Sequence, residues 1–206
     1  MLRTIFSFVI VLVFAGVALG QIANSAHDFS GQGWGTTEIC APCHTPHNSN
    51  TTVTSAPLWN HQVTTATFTT YSSSTMNATV GQPNNNSKLC LSCHDGTVAL
   101  DNFGGNTTGS HFISGSELIG TNLSNDHPVS FTYNAALATA DGDLYNPATK
   151  LTSLGGTIEH DLLFGASGSA TLECASCHDV HNGYGNPNLL LISNSASAFC
   201  LTCHSK

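Results

Sequence analysis

Four pentapeptides of the form Cys-x-x-Cys-His run from Cys40 to His44, Cys90 to His94, Cys174 to His178 and Cys200 to His204, and together they use all eight cysteines of the chain. Two thiols at this spacing can form thioethers to the two vinyl groups of a haem, while the imidazole that follows ligates the iron. The anchors are then Cys40, Cys43, Cys90, Cys93, Cys174, Cys177, Cys200 and Cys203, and the proximal ligands His44, His94, His178 and His204. A Cys-x-x-Cys pair alone also suits zinc or a redox dithiol, but neither requires a His directly after the second Cys. With His at about one residue in nineteen, four such histidines arise by chance on the order of once in a hundred thousand. The spacing therefore predicts four covalently bound haem c groups, and leaves no cysteine for a disulfide.

Elements must position these groups, and the composition limits which. Only 8% of the 206 residues are charged, the net charge is -8, and Gly, Asn, Ser and Thr are abundant. Such a chain favours turns. The expected fold is mostly irregular coil with short helices, one helical turn at each haem motif, few short strands, and the polypeptide wrapped around a haem stack. His127 to Tyr133 is the best strand candidate, because Val, Phe, Thr and Tyr suit a pleated surface. Haem propionates would add negative charge, so nucleic acid is excluded as a partner and cations or basic redox partners are favoured.

Residues 1–20 carry Arg3, an apolar run from Ile5 to Leu19, and Ala18-Leu19-Gly20 ahead of Gln21. This is the pattern of a secretory signal peptide, which leaves residues 21–206 as one tetrahaem domain with no membrane span. Asn-x-Ser/Thr sequons at Asn50, Asn77, Asn85, Asn106 and Asn122 are candidate glycosylation sites of an exported chain, and Asp141-Gly142-Asp143 is an acidic turn.

Seven of the eleven histidines remain to serve as distal ligands: His27, His47, His61, His111, His127, His160 and His181. Methionine is almost excluded, since Met76 alone follows residue 20. Two-histidine ligation throughout implies low reduction potentials. His47 and His181 each follow a proximal His by three residues, in Cys-His-Thr-Pro-His and Cys-His-Asp-Val-His. Such a side chain lies on the proximal side of its own haem and reaches a neighbouring iron instead.

The strings SAHDFS (25–30), ICAPCHTPHN (39–48), APLWNH (56–61), GQPNNNSKLCLSCHDGTVAL (81–100), NDHPVSF (125–131), ECASCHDVHNGYG (173–185) and FCLTCHSK (199–206) resemble multihaem cytochromes with doubled CXXCH motifs. The resemblance extends to extracellular tetrahaem members that polymerise into filaments. It implies bis-histidine haems in stacked and T-shaped pairs, a continuous haem chain through the polymer, and a CHxxH histidine, here His47, ligating the terminal haem of an adjacent subunit. It also ranks His127 and then His27 as the next distal ligands, and His27 is near enough in sequence to the first motif to cap its haem. His61 is a close reserve, with Leu58-Trp59 placed to pack on a porphyrin, while His111 and His160 are expected to be non-ligands.

The position of the last motif supports the polymer. No residue after His204 can ligate its haem, and a head-to-tail joint to His47 is heterologous and open, which generates a fibre. The expected function is extracellular electron transfer along such a conductive filament. The alternative is a soluble periplasmic tetrahaem shuttle between redox partners. An enzyme would need a haem with an open sixth position, and none is marked.

Overall fold

The computed structural model describes residues 21–205; the signal peptide expected at residues 1–20 lies outside the described residues. Most of the chain is turn and coil. Among the described residues there are four short α-helices, α1 (Asn85–His94), α2 (Ala135–Asp141), α3 (Ile158–Leu162) and α4 (Cys200–Cys203), and one two-stranded antiparallel sheet, β1 (Phe131–Thr132) with β2 (Thr171–Leu172). Phe131 pairs with Leu172 and Thr132 with Thr171. Among the described residues no helix is long and apolar enough to cross a membrane.

Local sequence explains the element ends. Helix α1 carries the whole second haem motif and stops at Asp95, after which Gly96 takes φ of 73°, a left-handed value that glycine adopts without a Cβ penalty. Helix α2 is capped by Asn134, whose side chain accepts from Leu137 N, and is closed by Gly142 within the Asp141-Gly142-Asp143 turn. Thr157 caps α3 by accepting from His160 N. These last two helices stand outside the haem motifs, where irregular chain was expected. The strand expected over 127–133 shrinks to two residues, because Ser130 turns into the left-handed region at φ of 59° and interrupts the extended run.

The main core gathers Phe131, Tyr133, Ala138, Ile158, Leu162, Leu163, Ala170, Leu172, Ile192 and Phe199 from segments far apart in sequence. Cys177 and Cys203 pack against it, so this core is the seat of the third and fourth haem motifs. Two smaller clusters, Val53 with Val63 and Leu89, and Phe68 with Leu91 and Leu123, hold opposite sides of α1. Ile158 is fully buried at the centre of the larger cluster. Ile158→Ala is expected to cost about 2–5 kcal/mol, the range for truncating a packed aliphatic side chain. A lowered melting temperature of the haem-loaded protein, followed by far-ultraviolet circular dichroism, checks it.

Candidate haem-binding sites

Each motif closes on itself. The backbone N–H of the histidine donates to the carbonyl of the first cysteine at 2.8 Å for His44, 3.0 Å for His178 and 2.9 Å for His204. The second motif does the same work as the last turn of α1. This brings the two thiols and the imidazole to one side of a single turn, as attachment to one macrocycle requires. None of the eight cysteines is joined in a disulfide.

A second segment then clasps each motif from outside. At the first, Asn60 N donates to Cys43 O at 2.9 Å and Thr45 N to Leu58 O at 2.9 Å. At the third, Leu191 N donates to Cys177 O at 2.9 Å and Asp179 N to Leu189 O at 2.7 Å. At the fourth, Tyr145 N donates to Cys203 O at 2.9 Å and Ser205 N to Asp143 O at 2.8 Å. In the first two clasps the residue next to the bridge, Leu58 or Leu189, adopts a left-handed φ of 53° or 56° that non-glycine residues seldom take. Leu58-Trp59, expected to lead into His61, is therefore part of the clasp on His44.

The clasps also orient the rings. His44 Nδ1 meets Pro57 O at 2.6 Å, His178 Nδ1 meets Asn188 O at 2.9 Å, and His94 Nδ1 meets Glu117 O at 2.8 Å. A carbonyl only accepts, so Nδ1 carries the proton and Nε2 keeps its lone pair for a metal. Backbone partners of this kind fix the tautomer and direction of ligating histidines.

Three of the proximal rings face a second imidazole. His181 stacks against His44 with centroids 6.2 Å apart and planes at 13°. His27 stands 6.0 Å from His94 at 52°, and His127 stands 6.5 Å from His204 at 77°. Two imidazoles sharing one metal at about 2 Å per bond place their centroids about 6 Å apart. The ring pairs thus match an iron held from both sides. Among the described residues no group of three or more His, Cys, Asp or Glu side chains converges as a bare metal ion requires. Paired axial ligands beside paired thiols instead suit a planar macrocycle that supplies its own equatorial nitrogens. Burial, and then the adjacent His94, lowers the His27 pKa, favouring the neutral ring that ligates a metal. His27 Nδ1 is buried without a hydrogen-bond partner.

His27 belongs with the second motif, although its sequence position suggested the first. His127 of the same chain stands opposite His204, the place that the sequence reading gave to His47 of a neighbour. His178 has no ring opposite it among the described residues, and it is exposed. His47 is also exposed, at the edge of an open cleft of about 640 Å³ lined by Asn48, Asn50, Asn60, Asn102 and Asn106.

The other histidines have different partners. His61 is buried with Nδ1 at 2.8 Å from Gln62 O and Nε2 at 3.0 Å from Ala99 O; burial lowers its pKa, and the neutral ring donates to one of these two carbonyls. Its Nε2 lies 3.7 Å from Cys93 Sγ, which makes it a support of that anchor. His111 pairs with Asp101 at 2.9 Å and lies 5.3 Å from the Trp34 ring. His160 pairs with Asp161 at 2.7 Å.

The anchors follow one another in space as in sequence. Cys43 is close enough to Cys93 to help raise its thiol pKa, Cys90 and Cys174 are within side-chain hydrogen-bonding reach, and Cys177 helps raise the pKa of Cys203. The first motif therefore neighbours the second, the second the third, and the third the fourth.

Residues 168–206, which hold the third and fourth motifs, match the family model described as the doubled CXXCH motif. That is the pattern of multihaem c-type cytochromes, and the match suggests covalent haem c attachment and electron transfer. No curated protein matches the chain.

Proposed function

We propose that this protein is a four-haem c-type cytochrome that is exported and polymerises head to tail into an extracellular, electron-conducting filament. Haem held by the cysteines and proximal histidines of the four motifs would supply ferric–ferrous redox chemistry. The chain's own residues fix their order, supply their axial ligands and exclude water from the anchors that pack on the core.

The observation that carries the polymer is a complementary pair of unmatched rings. His44, His94 and His204 each face an imidazole of the same chain, whereas among the described residues His178 and His47 make no ring contact with one, His178 lying only within electrostatic range of His27. A second copy that brings its His47 to the haem on Cys174 and Cys177 completes both. The ring positions favour that iron over the terminal one, because His127 already occupies the distal side of His204. Five asparagines line the cleft beside His47; Asn50, Asn60, Asn102 and Asn106 each already donate one amide N–H within the chain, and the second N–H of each, with the amide of Asn48, suits the propionates of an incoming haem. Joining different surfaces of successive copies is heterologous and does not close, so it extends into a fibre.

Electron microscopy of the haem-staining exported fraction tests this. Wild-type protein is expected to form filaments, and His47→Ala to yield dispersed subunits that retain four haems, one of them high-spin and able to bind carbon monoxide when reduced. Filaments unaffected by His47→Ala overturn the joint. Wild-type monomers with four low-spin haems favour the soluble shuttle.

A further inference from the structure

Glu173 is fully buried, immediately before the first cysteine of the third motif. Ser87 Oγ donates to its Oε2 at 2.5 Å and Ser130 Oγ to the same oxygen at 2.8 Å. Thr171 Oγ1 donates to Oε1 at 2.6 Å, Asn85 Nδ2 approaches Oε1 at 3.4 Å, and the backbone N–H of Ser176 also donates to the carboxyl group. Ser87 Oγ in turn accepts from Cys174 N at 3.0 Å, which uses the hydroxyl as both donor and acceptor. Asn85 Nδ2 and the Ser176 N–H can only donate, and the Ser87 and Ser130 hydroxyls, each already accepting from a backbone N–H, turn their protons to Oε2, while the Thr171 hydroxyl also has Phe164 O within 3.3 Å. A surround so rich in donors suits a carboxylate, which only accepts.

The donors are all neutral, and no lysine or arginine among the described residues forms an ion pair with Glu173. Hydrogen bonds of this kind hold a buried anion in place without cancelling its charge. The charge sits where the second and third motifs meet. Ser87 lies one helical turn ahead of Cys90 on α1, Cys174 is the next residue in the chain, and the Cys90 and Cys174 thiols are within hydrogen-bonding reach of each other.

We propose that Glu173 is a potential-setting residue: its buried carboxylate lowers the reduction potentials of the two haems anchored at Cys90/Cys93 and Cys174/Cys177 relative to the other two. A negative charge favours ferric iron, which carries one more positive charge than ferrous, and it acts strongly in a poorly screened interior. In a four-haem chain this makes the middle pair harder to reduce than the ends. The inference rests on haem attachment at those two motifs, but not on the filament.

Glu173→Gln keeps the shape and removes the charge. Haem content is read first, by the pyridine haemochromogen spectrum, and fewer than four haems in the wild-type protein contradicts the haem reading itself. With four haems bound, potentiometric titration followed in the visible bands is expected to show two midpoints shifted upward in Glu173→Gln and two unchanged, whereas Glu173→Asp keeps the low pair. Four unchanged midpoints overturn the proposal, since a purely structural tie would move the melting temperature alone. Should Glu173→Gln fail to mature, Thr171→Lys sets a cation against the carboxylate, and the same two midpoints are expected to rise; no rise overturns the proposal equally.

Discussion

Replacing Cys174 and Cys177 together by serine is expected to yield a protein with three haems and an interrupted electron path. The third motif is the one whose loss separates the others most completely. Cys174 adjoins Cys90 of the second motif, and Cys177 adjoins Cys203 of the fourth. Without the third haem, the first two remain neighbours through Cys43 and Cys93, while the fourth is left apart. Removing the thiols leaves His178 clasped by Asn188 and Leu191, so the backbone has its supports and the main core keeps its side chains. Haem content falls by a quarter. Stopped-flow reduction should divide into a fast phase for the adjacent pair and a slow phase for the isolated haem. Uniform reduction of all remaining haems at the wild-type rate contradicts the order derived from the anchors.

His127→Met is expected to raise the midpoint of one haem, the one anchored at Cys200 and Cys203, and to leave three in place. The His127 ring stands 6.5 Å from His204, and no other imidazole makes a ring contact with His204. Thioether sulfur favours ferrous iron more than imidazole does, and axial ligand choice spans about 0.8 V across haem proteins. The shift should therefore be a large fraction of the separation among the four midpoints. It should be accompanied by the weak near-infrared band of sulfur-to-ferric-iron charge transfer. Four unchanged midpoints remove His127 from the ligand set, and a high-spin haem without the sulfur band shows that the methionine does not reach the iron.

The two experiments probe parts of the molecule that differ in how far the sequence reveals them. The anchors were legible because thioether chemistry demands two cysteines at a set spacing, and the iron demands the histidine after them. His181 was read as too close to its own haem to serve it, and its ring lies 6.2 Å from that of His44. The coil-rich fold with short helices followed from the turn-forming composition. The clasps were not legible. They act through the carbonyls of Pro57, Glu117 and Asn188, and a backbone oxygen leaves no mark in residue type. The only trace is the short apolar step after a turn residue, Pro57-Leu58-Trp59 and Asn188-Leu189-Leu190, which carries the left-handed leucine.

The partner of His27 was hidden for another reason. Nearness in sequence pointed to the first motif, but α1 brings His94 under the Ser25-to-Asp28 turn, and contacts between distant segments override local spacing. The main core was missed because its members are scattered. Phe131, Ile158, Leu172, Ile192 and Phe199 come from five separate stretches with neither a two-residue nor a 3.6-residue period. Glu173 looked like one acidic residue among twelve until Ser87 and Ser130, 86 and 43 residues away, were seen to converge on it.

The central claim is that the four motifs carry a haem chain whose first, second and fourth irons are ligated within one subunit and whose third is completed by another. High-resolution electron cryo-microscopy of the haem-loaded exported protein tests it most directly. The account predicts a fibre with four haems per repeat, His44 opposite His181, His94 opposite His27, His204 opposite His127, and His178 opposite His47 of the next copy. A repeat with fewer haems, or an iron on His178 that finds its second ligand within its own chain, would contradict it.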